Sequence, residues 1–329
     1  MNDDAESAMT KSQLKDVINK IVLSQGNDFI KELLRQYSIK IGKTKKDFAK
    51  NLIEAVDSET LTQEMIELWL GDIEGWGSQH LYLFEAPKID TKKIVNLIDK
   101  SGYKDLLLKG HSYEFPDQFT LSGIELDDAS LSLVWHLGKE SWPRSRSKDF
   151  KDDIDGDSYR FDAYRLKMDR SVMRFHWRFI DDHCVILIHR NKDIDHIEAR
   201  AVVWNALYEI GVCAEPCSRL LLTDAVKAAS KKEGTKQTRM EVDGGYVELK
   251  STLQDGGIQQ VEAVRHVRNA VDDSEFVRAQ GMFAVNKDNQ TGGAVSVEVS
   301  GEEGRIRIWA QCKREFVYFV IDHFIALNG

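Results

Sequence analysis

EGWGSQHLYLFEAP, residues 74–87, is where the chain changes character. Leu81, Leu83 and Phe84 crowd into a short apolar run that Pro87 stops, which is a strand pattern. Upstream the pattern is helical. SQLKDVINKIVL places Leu14, Val17, Ile18, Ile21 and Val22 on one face at the three-and-four spacing. DFIKELLRQY does the same with Phe29, Ile30, Leu33, Leu34 and Tyr37, and KKDFAKNLIEAV with Phe48, Leu52, Ile53 and Val56. Thr60 or Thr62 is positioned to cap a fourth helix, LTQEMIELWLGDI.

Downstream, strands dominate. A short helix, TKKIVNLIDKSGY, follows Thr91. SLSLVWHL alternates Leu131 and Leu133 with serines, as a half-buried strand does. YRFDAYRLKMD, SVMRFHWRFID and HCVILIHR continue an antiparallel meander. It ends in the helix IDHIEARAVVWNALYEIG, capped by Asp193 or Asp195 and closed by Gly211. SRLLLTDAVKAASKKEG reads as another helix. TRMEVDGGYVELKS reads as a hairpin turning on Asp243-Gly244-Gly245. A helix IQQVEAVRHVRNAV, strands FVRAQGMFAVN, GAVSVEVS and RIRIWAQC, and a terminal helix KREFVYFVIDHFIAL complete the chain. The expected class is therefore α+β: a tail at 1–9, a helical domain at 10–75, and two mixed, largely antiparallel sheet-plus-helix bodies at 76–234 and 235–329.

With 329 residues, a net charge of −9 and 30% charged residues, the composition is that of an ordinary globular chain. An acidic whole argues against broad wrapping of nucleic acid, because phosphates are repelled over most of the surface. MNDDAESAM has neither a basic region nor an apolar one, so no secretory signal is expected. FVYFVIDHFIAL is broken by Asp322 and His323, so no membrane insertion is expected. The four cysteines, Cys184, Cys213, Cys217 and Cys312, read as reduced, buried thiols of an intracellular protein, cytoplasmic or otherwise.

Against this acidic background, Lys31 to Lys50 carries seven Lys/Arg and two acids. Thr44 can cap a helix whose first N–H groups face an anion, with ammonium groups around it. The bland alternative is a solvated basic helix face. Residues 32–56 resemble the SAP motif, a small helix–loop–helix module that commonly binds DNA. Lys43-Thr44-Lys45 stands where the family has Gly-Thr-Lys, Asp47 and Phe48 stand for its acid and Leu, and Asn51-Leu52 for its Arg-Leu pair. Ser38-Ile39 replaces Gly-Leu, and Lys40 the expected Pro. The resemblance implies that Lys43, Lys45, Lys46 and Lys50 face phosphates, with Thr44 at the helix start. The overall layout, a helical head followed by a body with the Trp-containing strand SLSLVWHLG, is similar to that of centromere protein N.

Catalytic patterns are sparse. Glu248-x-Lys250 on a strand resembles the nuclease half-motif in which a Glu and an upstream Asp hold Mg²⁺ and the Lys polarises water. Its upstream acid would have to be Asp243, in the same hairpin turn, or Asp224, on an expected helix. DDIDGD, residues 152–157, lacks the glycine and glutamate positions of a calcium loop and reads as an exposed acidic loop. Cys213 and Cys217 lack a second pair at zinc spacing, and no cofactor or metal is expected. In SVMRFHWRFI, Phe175, Trp177 and Phe179 share one strand face. That face is either a base-stacking platform or a sheet core with Arg174, His176 and Arg178 on a solvent side. The leading expectation is a non-enzymatic DNA-associated protein using Lys43, Thr44, Lys45, Lys46 and Lys50. The alternative is an assembly subunit that pairs with a protein partner or with itself. A Mg²⁺-dependent nuclease using Glu248 and Lys250 is the third reading.

Overall fold

Gln79–Glu85 forms β1, and every residue from Gln79 through Phe84 is buried. A strand sends alternate side chains to opposite faces, so full burial requires cover on both sides. The computed structural model describes residues 10–24, 27–73, 75–107, 116–165, 167–232, 234–242, 245–251, 257–263, 266, 278–285, 295–310 and 312–329. Within them β1 sits at the middle of a ten-stranded sheet.

On one edge β1 pairs antiparallel with β7 (His183–His189), and on the other with β12 (Arg305–Ile308). Outward from β7 lie β6 (Lys167–Arg178), β3 (Ser130–Ser141) and β2 (Thr120–Leu126). Outward from β12 lie β11 (Val295–Ser300), β10 (Arg278–Val285), β8 (Thr235–Val242) and β9 (Gly245–Lys250). Every pairing along this order is antiparallel. The class is α+β as expected. The two expected strand-rich bodies, however, share one sheet, sewn together where Leu81 pairs with Ile306.

Helices cover the two halves on opposite faces. Leu81, Leu83, Val185 and Leu187 join Val297, Val299, Ile306 and Ile308 beneath α7 (Thr223–Ala229) and α8 (Arg314–Leu327). Tyr82, Phe84, Phe175, Trp177, Ile186 and Ile188 face the other way, under α5 (Ile94–Lys100) and α6 (His196–Ile210). α6 starts at Asp195, whose carboxylate accepts the N–H groups of Ile197 and Glu198, and ends at Gly211 with φ +87°. That left-handed turn favours glycine. α7 is shorter than the expected helix, and Leu222, Ala225 and Val226 pack in the C-terminal core.

The head is all-helical: α1 (Lys11–Ser24), α2 (Asn27–Gln36), α3 (Lys45–Asp57) and α4 (Gln63–Ile73). It closes its own core from Leu14 through Trp69, built from the stripes that the spacing marks out. Thr62 rather than Thr60 caps α4, its hydroxyl accepting the N–H of Met65 at 3.3 Å. An ion pair between Lys313 and Glu32 connects the head to the start of α8.

Three local expectations are corrected. The acidic DDIDGD loop is the turn of a two-stranded hairpin, β4 (Phe150–Ile154) with β5 (Asp157–Phe161). Asp155 (φ +54°) and Gly156 (φ +92°) form its two-residue turn, the conformation that Asp-Gly favours. YRFDAYRLKMD is accordingly split between β5 and β6. Finally, Arg174 and His176 are not solvent-facing: they are 2% and 3% exposed, beneath Trp76 and α8. Phe175 and Trp177 are core residues, so they offer no stacking platform. Half of the expected helix at 258–271 lies outside the described residues; in the rest, Ile258–Gln260 forms a short turn and Glu262, Ala263 and His266 are helical.

Because β1 serves both halves, Leu81→Ala should remove about 2–5 kcal/mol from the whole sheet. Urea unfolding followed by residue-resolved hydrogen exchange is the check. Loss of protection in β6 and β11 together is expected; loss confined to one half would show that the halves fold as separate units.

Candidate nucleic-acid interface

The basic stretch spans the end of α2, a connecting loop and the start of α3. α2 ends in a left-handed residue, Ser38, at φ +54°. The Ser38 N–H donates to Arg35 O at 3.1 Å and the Ile39 N–H to Leu34 O at 2.7 Å. This doubly bonded terminus is one that glycine normally closes. Ser38 is the residue standing where the SAP pattern has glycine, so the backbone keeps a glycine-like conformation without the glycine.

The loop is then held at three points. Asn51 Nδ2 donates to Lys40 O at 2.6 Å. The Asp47 carboxylate accepts the N–H groups of Lys43 and Thr44 at 3.0 and 2.9 Å. The Thr44 hydroxyl accepts the Asp47 N–H at 3.2 Å, completing a capping box. Gly42 lies so close that an added Cβ would stand 2.1 Å from Asp47 Cβ, so no larger residue fits without moving the loop. Phe48 and Leu52, both almost fully buried, fix α3 against the head core.

What this frame presents is cationic. Lys40, Lys43, Lys46 and Lys50 are exposed and Lys45 is half-buried. Lys50 approaches Glu54 at 3.7 Å, an exposed pair of the kind worth little. Among the described residues no carboxylate pairs with Lys40, Lys43 or Lys46. The anion site expected at the helix N-terminus itself is already filled, because Asp47 takes the N–H groups of Lys43 and Thr44. Those backbone bonds, led by Thr44, hold the Asp47 carboxyl below its ordinary value. Thr44 is thus a cap, and the groups left to meet an anion are the ammonium groups around it.

Glu248 and Lys250 lie on β9, as the nuclease reading needs. The Glu248 carboxylate accepts a hydrogen bond from Gln237 Nε2 at 2.9 Å, and Asp224 pairs with Lys227 at 3.5 Å. Asp243 lies outside the described residues. Among those residues no group of three or more His, Cys, Asp or Glu side chains forms that could hold a metal ion.

Sequence reasoning missed a second cationic cluster. Arg190 and Arg307 lie over the ring of Trp309, at 4.4 and 3.8 Å from its centroid. Arg307 is two residues from Trp309, but Arg190 reaches the ring only because β1 pairs with both β7 and β12, so its place gave no local signal. No protein-family model matches the chain, and no curated protein matches it.

Thr44→Ala should lower the stability of the head by about 1 kcal/mol, read by hydrogen exchange of α3 amides. The pH dependence follows from Asp47. Its folded pKa is depressed, so its contribution is full above the unfolded carboxylate value and is lost as pH falls through the lower folded value. The difference between parent and Asp47→Ala in α3 protection should therefore shrink on acidification; a gap that stayed constant would mean that the carboxylate charge does not support the cap.

Proposed function

We propose that this is a non-enzymatic DNA-associated protein that holds duplex phosphates with the basic loop and first turns of α3. The observation that carries the reading is the trio Lys40, Lys43 and Lys46: exposed, without a carboxylate partner among the described residues, and borne on a loop fixed by Asn51, Asp47 and Gly42. In a chain of net charge −9, exposed ammonium groups left without carboxylate partners in this way favour an anionic partner. Lys45 and Lys50 extend the patch along α3. The SAP-like order of elements, with a left-handed residue at Ser38 and a cap at Thr44, supports the same reading.

Ammonium–phosphate pairs carry no base information, so binding should be largely independent of sequence. Removing one such pair should flatten the slope of log K against log salt by roughly 0.9. The protein with Lys43, Lys45, Lys46 and Lys50 all changed to Ala should bind every duplex more weakly and with a shallower slope. Binding and slope equal to the parent's would assign the patch to the surface.

A second reading, an assembly subunit, is favoured by the β4–β5 hairpin. Trp142, Phe150, Ile154, Tyr159, Phe161 and Tyr164 on and beside it are all exposed. Phe150 stacks on Phe161 with ring centroids 4.7 Å apart. An apolar cluster of this kind on a surface is a mark of protein contact. Sedimentation across a concentration series separates the readings: a mass that rises with concentration, and falls back when Phe150 and Phe161 become Ser, supports assembly.

A further inference from the structure

Two of the four cysteines, Cys213 and Cys217, meet in space. Cys184 lies on β7 and points to the α6 side of the sheet. Cys213 and Cys217 lie in the segment after Gly211, their sulfur atoms 3.8 Å apart. The segment is clamped at both ends: the Cys213 N–H reaches Leu207 O at 3.4 Å, and Ser218 O accepts the Glu85 N–H at 2.9 Å. The Cys184 thiol donates to Glu85 O at 3.4 Å, within the core cluster against which Cys213 and Cys217 pack. Cys213 and Cys217 are half-buried, whereas Cys184 and Cys312 are buried.

We infer that Cys217 and Cys213 form a modification site that a peroxide oxidises to an intramolecular disulfide. A neighbouring S–H group donating to one sulfur favours a thiolate there, and a thiolate is the nucleophile. The neighbouring thiols, Cys184 first and then Cys213, pull the Cys217 pKa down, and Lys88 adds positive charge nearby. Burial pushes Cys184 up, and its bond to Cys217 pushes Cys213 up, so these two stay protonated.

The chemistry balances with the peroxide as oxidant. The Cys217 thiolate attacks one peroxide oxygen, the O–O bond breaks, and the other oxygen leaves as alkoxide or hydroxide. Cys217 becomes a sulfenic acid, its sulfur oxidised by two electrons and the peroxide reduced by two. Cys213 gives its proton to the departing base, and its sulfur attacks Cys217, expelling hydroxide that is protonated to water. Two thiols and one peroxide yield one disulfide, one water and one alcohol, or a second water when the oxidant is hydrogen peroxide. Closing the gap from 3.8 Å to a bond of about 2 Å is within reach of side-chain rotation and a small shift of the segment.

The test treats the full-length protein with hydrogen peroxide and maps its thiols by mass spectrometry. The expected product is a Cys213–Cys217 disulfide, with Cys184 and Cys312 reduced. Cys217 should also react with iodoacetamide at least about tenfold faster than Cys312, whose thiol burial pushes up to about 12. In Cys213→Ser the sulfenic acid should persist on Cys217 and be trapped by a dione reagent. A parent protein in which all four thiols oxidise alike, or in which Cys184 is the linked residue, would overturn the inference whether or not the variants fold.

Discussion

Placing β1 between β7 and β12 is the constraint on which the rest of the architecture hangs. Gln79–Glu85 uses both of its hydrogen-bonding edges and both of its faces. Leu81 and Leu83 belong to the core under α7 and α8, and Tyr82 and Phe84 to the core under α5 and α6. Removing such a strand would leave two unpaired edges and two stripped apolar faces, each of which costs free energy on its own. The strand thus couples two helix layers that lie on opposite faces.

A polar junction reinforces this coupling. His176, on β6, bonds through one ring nitrogen to Ser132 on β3 at 2.7 Å and through the other to Tyr318 on α8 at 2.6 Å. Burial, then Arg174, pushes the His176 pKa down to about 3, so the ring is neutral and one nitrogen must accept. Beside it Arg174 lies over Trp76 at 4.7 Å and pairs with Glu125 at 2.9 Å. Arg178 pairs with Asp322 of α8. The terminal helix is therefore fixed to the N-terminal half of the sheet by directional bonds as well as apolar packing, which specifies its orientation.

Much of the fold was legible because it is written locally. The apolar stripes of α1, α2 and α3, the cap at Asp195 and the left-handed stop at Gly211 depend on residues within a few positions. The capping role of Thr44 was readable for the same reason, and the exposure of Lys46 and Lys50 follows from their place on α3 opposite Phe48 and Leu52. The use of Asp47 as internal counter-ion was not read, although an acid three residues after Thr44 is the signature of a capping box. What stayed hidden is non-local. Alternation assigned Arg174 and His176 to the face opposite Phe175 correctly, but could not say that α8 and Trp76 would cover that face. Nothing near Leu81 names Ile306 as its partner.

The proposed role rests on where phosphates would touch the chain. Acetylation of surface lysines, with and without duplex DNA at low salt, reads that interface directly. The account predicts protection of Lys40, Lys43 and Lys46, with the exposed Lys231 and Lys232 beyond α7 unchanged. Protection found only at lysines of the sheet, or at none while DNA is bound, would contradict it.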